Sequence, residues 1–209
     1  MLSKFAFPNA GAGNAGGATH HGVRTMSEAT ERQSVEETDI RVVAHEPEWS
    51  QLYVPEARRV ESVFGERCAA IEHIGSTAVA GLLAKPIVDI LVATVDGAAP
   101  SPAELQALAA LGYVFLGEDG RRPGRWFWRK RGSVAFNLGI VPAISELWRD
   151  NLSVRDYLRD HPHEVRQYAE IKRQAVQASP NSLLGYQNYK REFMQGLRAR
   201  ALEWNAGRT

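Results

Sequence analysis

The sequence predicts an α+β protein, a mixed β-sheet core with flanking helices and a helical C-terminal segment, on three observations. Short β-branched and aliphatic runs are confined to the chain before Val141. Apolar residues recur at helical spacing from Ile144 onward, and Gly, Pro and Ser clusters separate the segments. Ile40 to Ala44 is a short β-prone run, and Pro47 to Phe64 has helical spacing through Trp49, Leu52, Tyr53, Val60 and Phe64, with Pro55 expected to kink or restart the helix. Ala69 to Ile74 reads as a second strand. Pro86 to Thr94, PIVDILVAT, reads as a strand buried on both faces, with the charge of Asp89 in its middle. A short helix follows over Ala103 to Leu111 and ends at Gly112. Tyr113 to Leu116, Trp126 to Lys130 and Ser133 to Val141 read as strands, the last two joined by a tight hairpin at Arg131-Gly132. Three apolar helical faces follow: Trp148, Leu152 and Leu158; Val165, Tyr168, Ala169 and Ile171; Tyr189, Phe193 and Leu197. His161-Pro162 and Ser179-Pro180-Asn181 divide them.

Composition narrows the function classes. The 209 residues are 44% hydrophobic and 23% charged, and 25 Lys and Arg balance 24 Asp and Glu for a net charge of +1. A protein that coats nucleic acid needs a surplus of cations, so any basic site here is local and nucleic acid is not the expected partner. The one cysteine, Cys68, rules out an internal disulfide and a Cys-rich zinc site, is expected as a small buried hydrophobe, and fits a reducing, cytoplasmic location. Residues 1–38 hold no apolar periodicity and are expected to be a disordered tail, with Met26 a candidate translation start. Phe5 to Val23 is too polar for a membrane span or signal core. The folded domain is expected over 39–205.

The segment Ile71 to Val92 carries the chemistry. A strand runs into Gly75-Ser76-Thr77, where glycine lets the backbone turn, and two hydroxyls and nearby N–H groups can approach phosphate oxygens or cap a short helix. Lys85-Pro86 re-enters a strand that sets Asp89 where a phosphate-bridging Mg²⁺ could be held; the bland alternative is an Asp89–Lys85 pair. Glu72 and His73 sit on opposite faces of their strand, and Glu72 is favoured to face the site. In the hairpin, Trp126 and Trp128 share one face, most simply the core, and Arg125, Phe127 and Arg129 the other. The six basic residues from Arg121 to Arg131 read as a charge-protected edge or as an anion site. Arg155, Lys172 and Lys190 could reach back to the Gly-Ser turn, or Arg155, Asp156 and Arg159 could form surface helix pairs. His161 and His163 read as solvent-facing cap residues.

EHIGSTAVAGLLAKPIVDILV (Glu72 to Val92), LSVRDYLRDHPHEVRQYAEIKRQAV (Leu152 to Val176) and YQNYKREFM (Tyr186 to Met194) together resemble the GrpB family, a branch of the nucleotidyltransferase-like superfamily. The resemblance covers Val42 to Ala201. It implies a nucleotidyltransferase-like sheet, an NTP–Mg²⁺ ligand and transfer of a nucleotidyl group to a small acceptor. By position it implies Asp89 and Lys85 as catalytic residues, Gly75, Ser76, Thr77, Arg129 and Arg155 as nucleotide-binding, and Asp89 with Glu72 as metal ligands. The superfamily pattern carries two carboxylates one residue apart and a third on a later strand. Leu91 and Asn137 stand at those positions, and Gly139 replaces a further side chain that such a strand often carries. A non-catalytic nucleotide- or CoA-ligand-binding or interaction module is therefore the alternative expectation.

Overall fold

The computed structural model describes residues 40–119 and 124–208, so the tail expected over 1–38 and the Arg121-Arg122 part of the basic hairpin lie outside the described residues. In chain order the elements are α1 (Glu48–Phe64), β1 (Cys68–Ile74), β2 (Ile87–Thr94), α2 (Pro102–Ala110), β3 (Val114–Glu118), β4 (Trp126–Lys130), β5 (Ala135–Pro142), α3 (Glu146–Asp160), α4 (Pro162–Ala178) and α5 (Leu183–Ala206). This is the α+β order that the sequence predicts. Among the described residues no helix is long and apolar enough to cross a membrane.

The sheet runs β1-β2-β5-β4-β3. β2 lies between antiparallel β1 and parallel β5, which is why its residues are almost all apolar: a central strand under helices on both sides has no solvent face. Cross-strand partners share a face, so the register sorts the side chains. Val88, Ile90 and Val92 join Leu138, Ile140, Trp126 and Trp128 on the face that α1 and α2 cover through Trp49, Val60, Phe64 and Leu108. Trp126 and Trp128 are core residues, as their alternation implies, and partly buried Cys68 packs at the same core. The opposite face presents Glu72, Ile74, Asp89, Leu91, Asn137, Gly139, Phe127 and Arg129. Leu147, Trp148 and Leu152 of α3 cover its apolar part, Ile74, Leu91 and Val141. Val79 and Leu82, between the Gly-Ser turn and β2, pack with Tyr157, Leu158, Val165, Tyr168 and Leu197 and so fix the three C-terminal helices against that turn.

Local signals explain the helix bounds. Ser101 and Glu104 form a capping box at the start of α2, with Pro102 in its first turn. Ser145 caps α3 by accepting from the Trp148 N–H, and Ser182 caps α5 through the Gly185 N–H. Three expectations change. Ile40 to Ala44 forms no strand, only a bridge from Val43 to Ala84, because Ile40 instead packs with Ala175, Leu183 and Tyr186 of the helical layer. Helix α1 runs unbroken through Pro55; that residue is exposed, so the Gln51 carbonyl that it leaves without a helical partner faces solvent. On α5 the inward tyrosine is Tyr186, 3% exposed, while Tyr189 is 44% exposed.

Leu91 is fully buried beneath α3, and Gly139 beside it leaves room for its side chain: a Cβ on Gly139 would lie 3.0 Å from Leu91 Cδ1. The position where the resemblance implies a second carboxylate is thus a core position in this chain. Leu91→Asp should therefore not restore a metal site but destabilise the fold by on the order of 3 kcal/mol or more, read as a lower denaturation midpoint in urea.

Candidate functional site

β1 ends with Ile74 paired to Asp89, and the chain must turn over that carboxylate at once. Gly75 has φ 72°, and a Cβ there would lie 2.3 Å from Asp89 Oδ2, so both the backbone conformation and the space require glycine. A single 3₁₀ turn, Ser76–Ala78, follows. Asp89 Oδ1 accepts from Asn137 Nδ2 at 2.8 Å, and Asn137 Oδ1 accepts from Arg131 Nη2 at 3.2 Å. Asn137, where the resemblance implies a third carboxylate, is instead a hydrogen-bond donor to Asp89. Burial pushes the Asp89 carboxyl up, opposed first by the Asn137 hydrogen bond and then by the charges of Lys85, Arg125 and Lys172.

The helical layer completes the site. Lys172 of α4 is 2% exposed; its Nζ donates to the Leu83 carbonyl at 2.5 Å, is hydrogen-bonded to Ser76 Oγ, and lies 4.4 Å from the Tyr168 ring centroid. Burial, and then the Lys190 charge, hold the Lys172 ammonium well below the ordinary lysine range, against an upward pull from Asp89. Lys190 of α5 sits 4.2 Å from the Tyr186 ring centroid; burial and then Lys85 push its pKa down to about 8, again against Asp89. Burial pushes the Tyr168 phenol, which faces Ser76, up to about 12. Lys85, Lys172 and Lys190 thus act electrostatically on one carboxylate. The turn opens into a groove of about 950 Å³, within the size range of small-molecule sites, whose walls include Gly75, Ser76, Arg155, Tyr168, Lys190 and Arg191.

The sequence-derived residues divide between the groove and the interior. Gly75 and Ser76 line the groove, Asp89 packs against Gly75, and Lys85 acts on Asp89 electrostatically. Arg129 shares the Asp89 face, paired in register with Asn137 one strand beyond. Thr77 does not join them: it is 1% exposed, with its hydroxyl 2.9 Å from His73 Nε2 and 3.5 Å from the Ile87 carbonyl. His73 stacks on Tyr53 on the core side, as expected of the residue opposite Glu72 in facing. Glu72 faces the site side, but its Oε2 accepts from Arg155 Nη1 at 2.6 Å, and that guanidinium also bonds Asp156 and the His73 carbonyl. Arg155 lines the groove while tying α3 to β1, and Glu72 is held as its counter-ion rather than presented to a metal. Among the described residues no three His, Cys, Asp or Glu side chains gather in a group that could hold a metal ion. His161 is the cap residue between α3 and α4, as expected, but half-buried rather than solvent-facing, its ring stacked on Tyr157 at 3.9 Å, while His163 is exposed. Of the tyrosines at the site, Tyr168 reads from the sequence only as part of an apolar face and Tyr186 is not singled out at all; the signal that marks both is spacing, since Tyr168–Lys172 and Tyr186–Lys190 are both i,i+4 pairs on helices.

An α+β sheet with a glycine-dependent turn, one carboxylate and a cationic groove under three helices defines the class of protein. The profile described as GrpB protein matches residues 39–200, and the chain belongs to the GrpB family. It is 30% identical over 169 residues to UPF0157 protein YqkA of Bacillus subtilis, covering 81% of this chain and 49% of YqkA, so the match spans about half of that relative. It is 35% identical over 170 residues to UPF0157 protein PA4798 of Pseudomonas aeruginosa, covering 78% and 68% of the two chains. The crystal structure of conserved protein GrpB from Enterococcus faecalis superposes with a TM-score of 0.70 at 30% identity, covering 79% of this chain and 99% of that one.

Two outcomes follow from the geometry of the turn. Gly75→Ala should destabilise by about 2–4 kcal/mol, combining left-handed strain with the clash against Asp89, and the double variant with Asp89→Ala should lose less than the sum in a denaturation cycle. His73 is held neutral, its pKa lowered to about 4 by burial first and then by the Arg159 and Arg155 charges. The unfolded chain binds the extra proton below about 6.5, so stability is fully present above that pH and falls between about 6.5 and 4. His73→Gln should flatten that window in thermal melts taken across pH.

Proposed function

We propose that the groove binds the phosphates of a nucleoside triphosphate with Mg²⁺ and that the chain transfers the nucleotidyl group to a small acceptor. The observation that carries this reading is the Gly75-Ser76 turn itself: Lys172 hydrogen-bonds Ser76, Lys190 shares the groove wall with Gly75 and Ser76, and the Asp89 carboxylate packs directly against Gly75. Polyphosphate is the ligand chemistry that matches clustered amines, a hydroxyl and a close-approach glycine turn. Asp89 Oδ2 is aimed at the cradle that a side chain at residue 75 would fill, and one carboxylate is a fitting protein share for Mg²⁺, which takes its remaining ligands from phosphates and water. Mg²⁺ held there would neutralise charge on the phosphates. Leu91 in the core and Glu72 on Arg155 do not fit a two-metal site.

In this reading Lys172 holds Ser76, Lys190 and Lys85 offset the charge of the pyrophosphate portion, and Asn137 fixes the orientation of Asp89. In the net transfer the acceptor oxygen becomes bonded to the α-phosphorus in place of pyrophosphate. The burial of Leu91 favours a second reading, a module that binds nucleotide without turnover.

The test is the full chain with each NTP and Mg²⁺, following binding by calorimetry and pyrophosphate release in parallel. Lys190→Met should weaken binding by about 10- to 100-fold, the loss of one charge-assisted contact. Asp89→Ala should remove the Mg²⁺ dependence. Binding without pyrophosphate release across a panel of hydroxyl and carboxylate acceptors selects the second reading, and no binding of any NTP refutes both.

A further inference from the structure

Ser76 has an environment that phosphate holding alone does not require. Ser76 lines the groove, yet its partner is a lysine 2% exposed, contacted otherwise by one backbone carbonyl and one aromatic ring. Among the described residues no carboxylate hydrogen-bonds Lys172; Asp89 acts on it only at a distance, and Lys190 repels its charge. A neutral amine satisfies this environment completely. Nζ donates to the Leu83 carbonyl and to Ser76 Oγ and faces the Tyr168 ring; in the neutral amine the Nζ–Oγ contact can run the other way, from the Ser76 O–H to the lone pair. An ammonium there would place a charge in the interior with dipoles alone for partners.

The geometry points to Ser76 as a nucleophile and Lys172 as its general base, so that the groove takes up the nucleotidyl group on Ser76 before passing it on. This deepens the nucleotide reading, on which the identity of the donor rests; the serine–lysine pair itself does not depend on it. A hydroxyl in contact with a buried amine is the arrangement that activates serine in nucleophilic catalysis. Ser76 Oγ bonds to the α-phosphorus, the bond to pyrophosphate breaks, pyrophosphate leaves with the bonding pair, and the serine proton passes to Lys172 Nζ. In the second half an acceptor hydroxyl attacks the phosphorus, its proton is released to solvent, the Oγ–P bond breaks, and Lys172 returns its proton to Ser76. The Tyr168 phenol, facing Ser76, and Lys190, on the groove wall, are placed to offset negative charge on the phosphoryl oxygens.

A dialkyl fluorophosphonate tests the pair without any nucleotide: Oγ–P forms, P–F breaks and the proton goes to Lys172. The full chain is incubated with the probe, and the adduct is mapped by peptide mass spectrometry. Labelling at Ser76 is expected, with Lys172→Met slowing it by about 100-fold or more, the usual share of a general base. No adduct at Ser76, or Lys172→Met labelling as fast as wild type, overturns the proposal. The wild-type pH profile decides the matter if Lys172→Met fails to fold. The groups acting on Lys172 are Ser76, Tyr168, Lys190 and Asp89, and only the neutral amine serves as base. The labelling rate should therefore rise with pH and level off below about 10.4, the ordinary lysine value. A rate flat from pH 6 to 10, or rising without a plateau beyond that value, overturns it. NTP binding without Ser76 labelling would leave the nucleotide reading standing and remove the covalent step, whereas labelling without NTP binding would do the reverse.

Discussion

Strand β1 can pair with β2 up to the Ile74–Asp89 position and still fold back over the carboxylate because residue 75 has no side chain. That single close approach sets where the chain goes next. Ser76 is delivered to the groove, Thr77 is turned inward onto His73, and Val79 and Leu82 are laid down as the floor on which α3, α4 and α5 pack. The helices in turn carry Lys172 and Lys190 back to the turn. The site is therefore assembled from both halves of the chain around one contact between a backbone and a carboxylate.

The charges in this region are arranged so that each burial has a partner of limited strength. Asp89 is hydrogen-bonded by Asn137, a neutral group, and feels Lys85, Arg125 and Lys172 at a distance. Glu72 and Arg155 neutralise each other at the edge of the groove and join α3 to β1. A strong ion pair on Asp89 would hold it in the carboxylate form but would also occupy the oxygens that an incoming cation needs. Hydrogen bonding through Asn137 fixes one oxygen and leaves the other aimed at the turn.

Much of this arrangement is legible in the sequence because it is local. The Gly75-Ser76 turn, the isolated charge of Asp89 within an aliphatic run, the core-facing Trp126 and Trp128, and the alternation that sets Glu72 against His73 all follow from spacing of one or two residues. What escapes is what depends on pairing across the fold. Nothing near Glu72 announces Arg155, which lies 83 residues away, and nothing near Ile40 shows that it packs on the helical layer instead of extending the sheet. Tyr168 and Tyr186 have the spacing of apolar helix faces, and their role beside Lys172 and Lys190 emerges only when the two helices are brought to one turn.

The contact between Leu91 and Gly139 bears on how such a site changes over evolutionary time. A side chain added at 139 meets Leu91, and an acid introduced at 91 lies under Trp148 and Leu152 with the space above Gly139 left unfilled. Either change alone is penalised by packing before it can be rewarded by chemistry. The two positions are epistatically locked, so passage between a one-carboxylate and a two-carboxylate groove on this fold requires coordinated replacement at both strands together with a shift of α3.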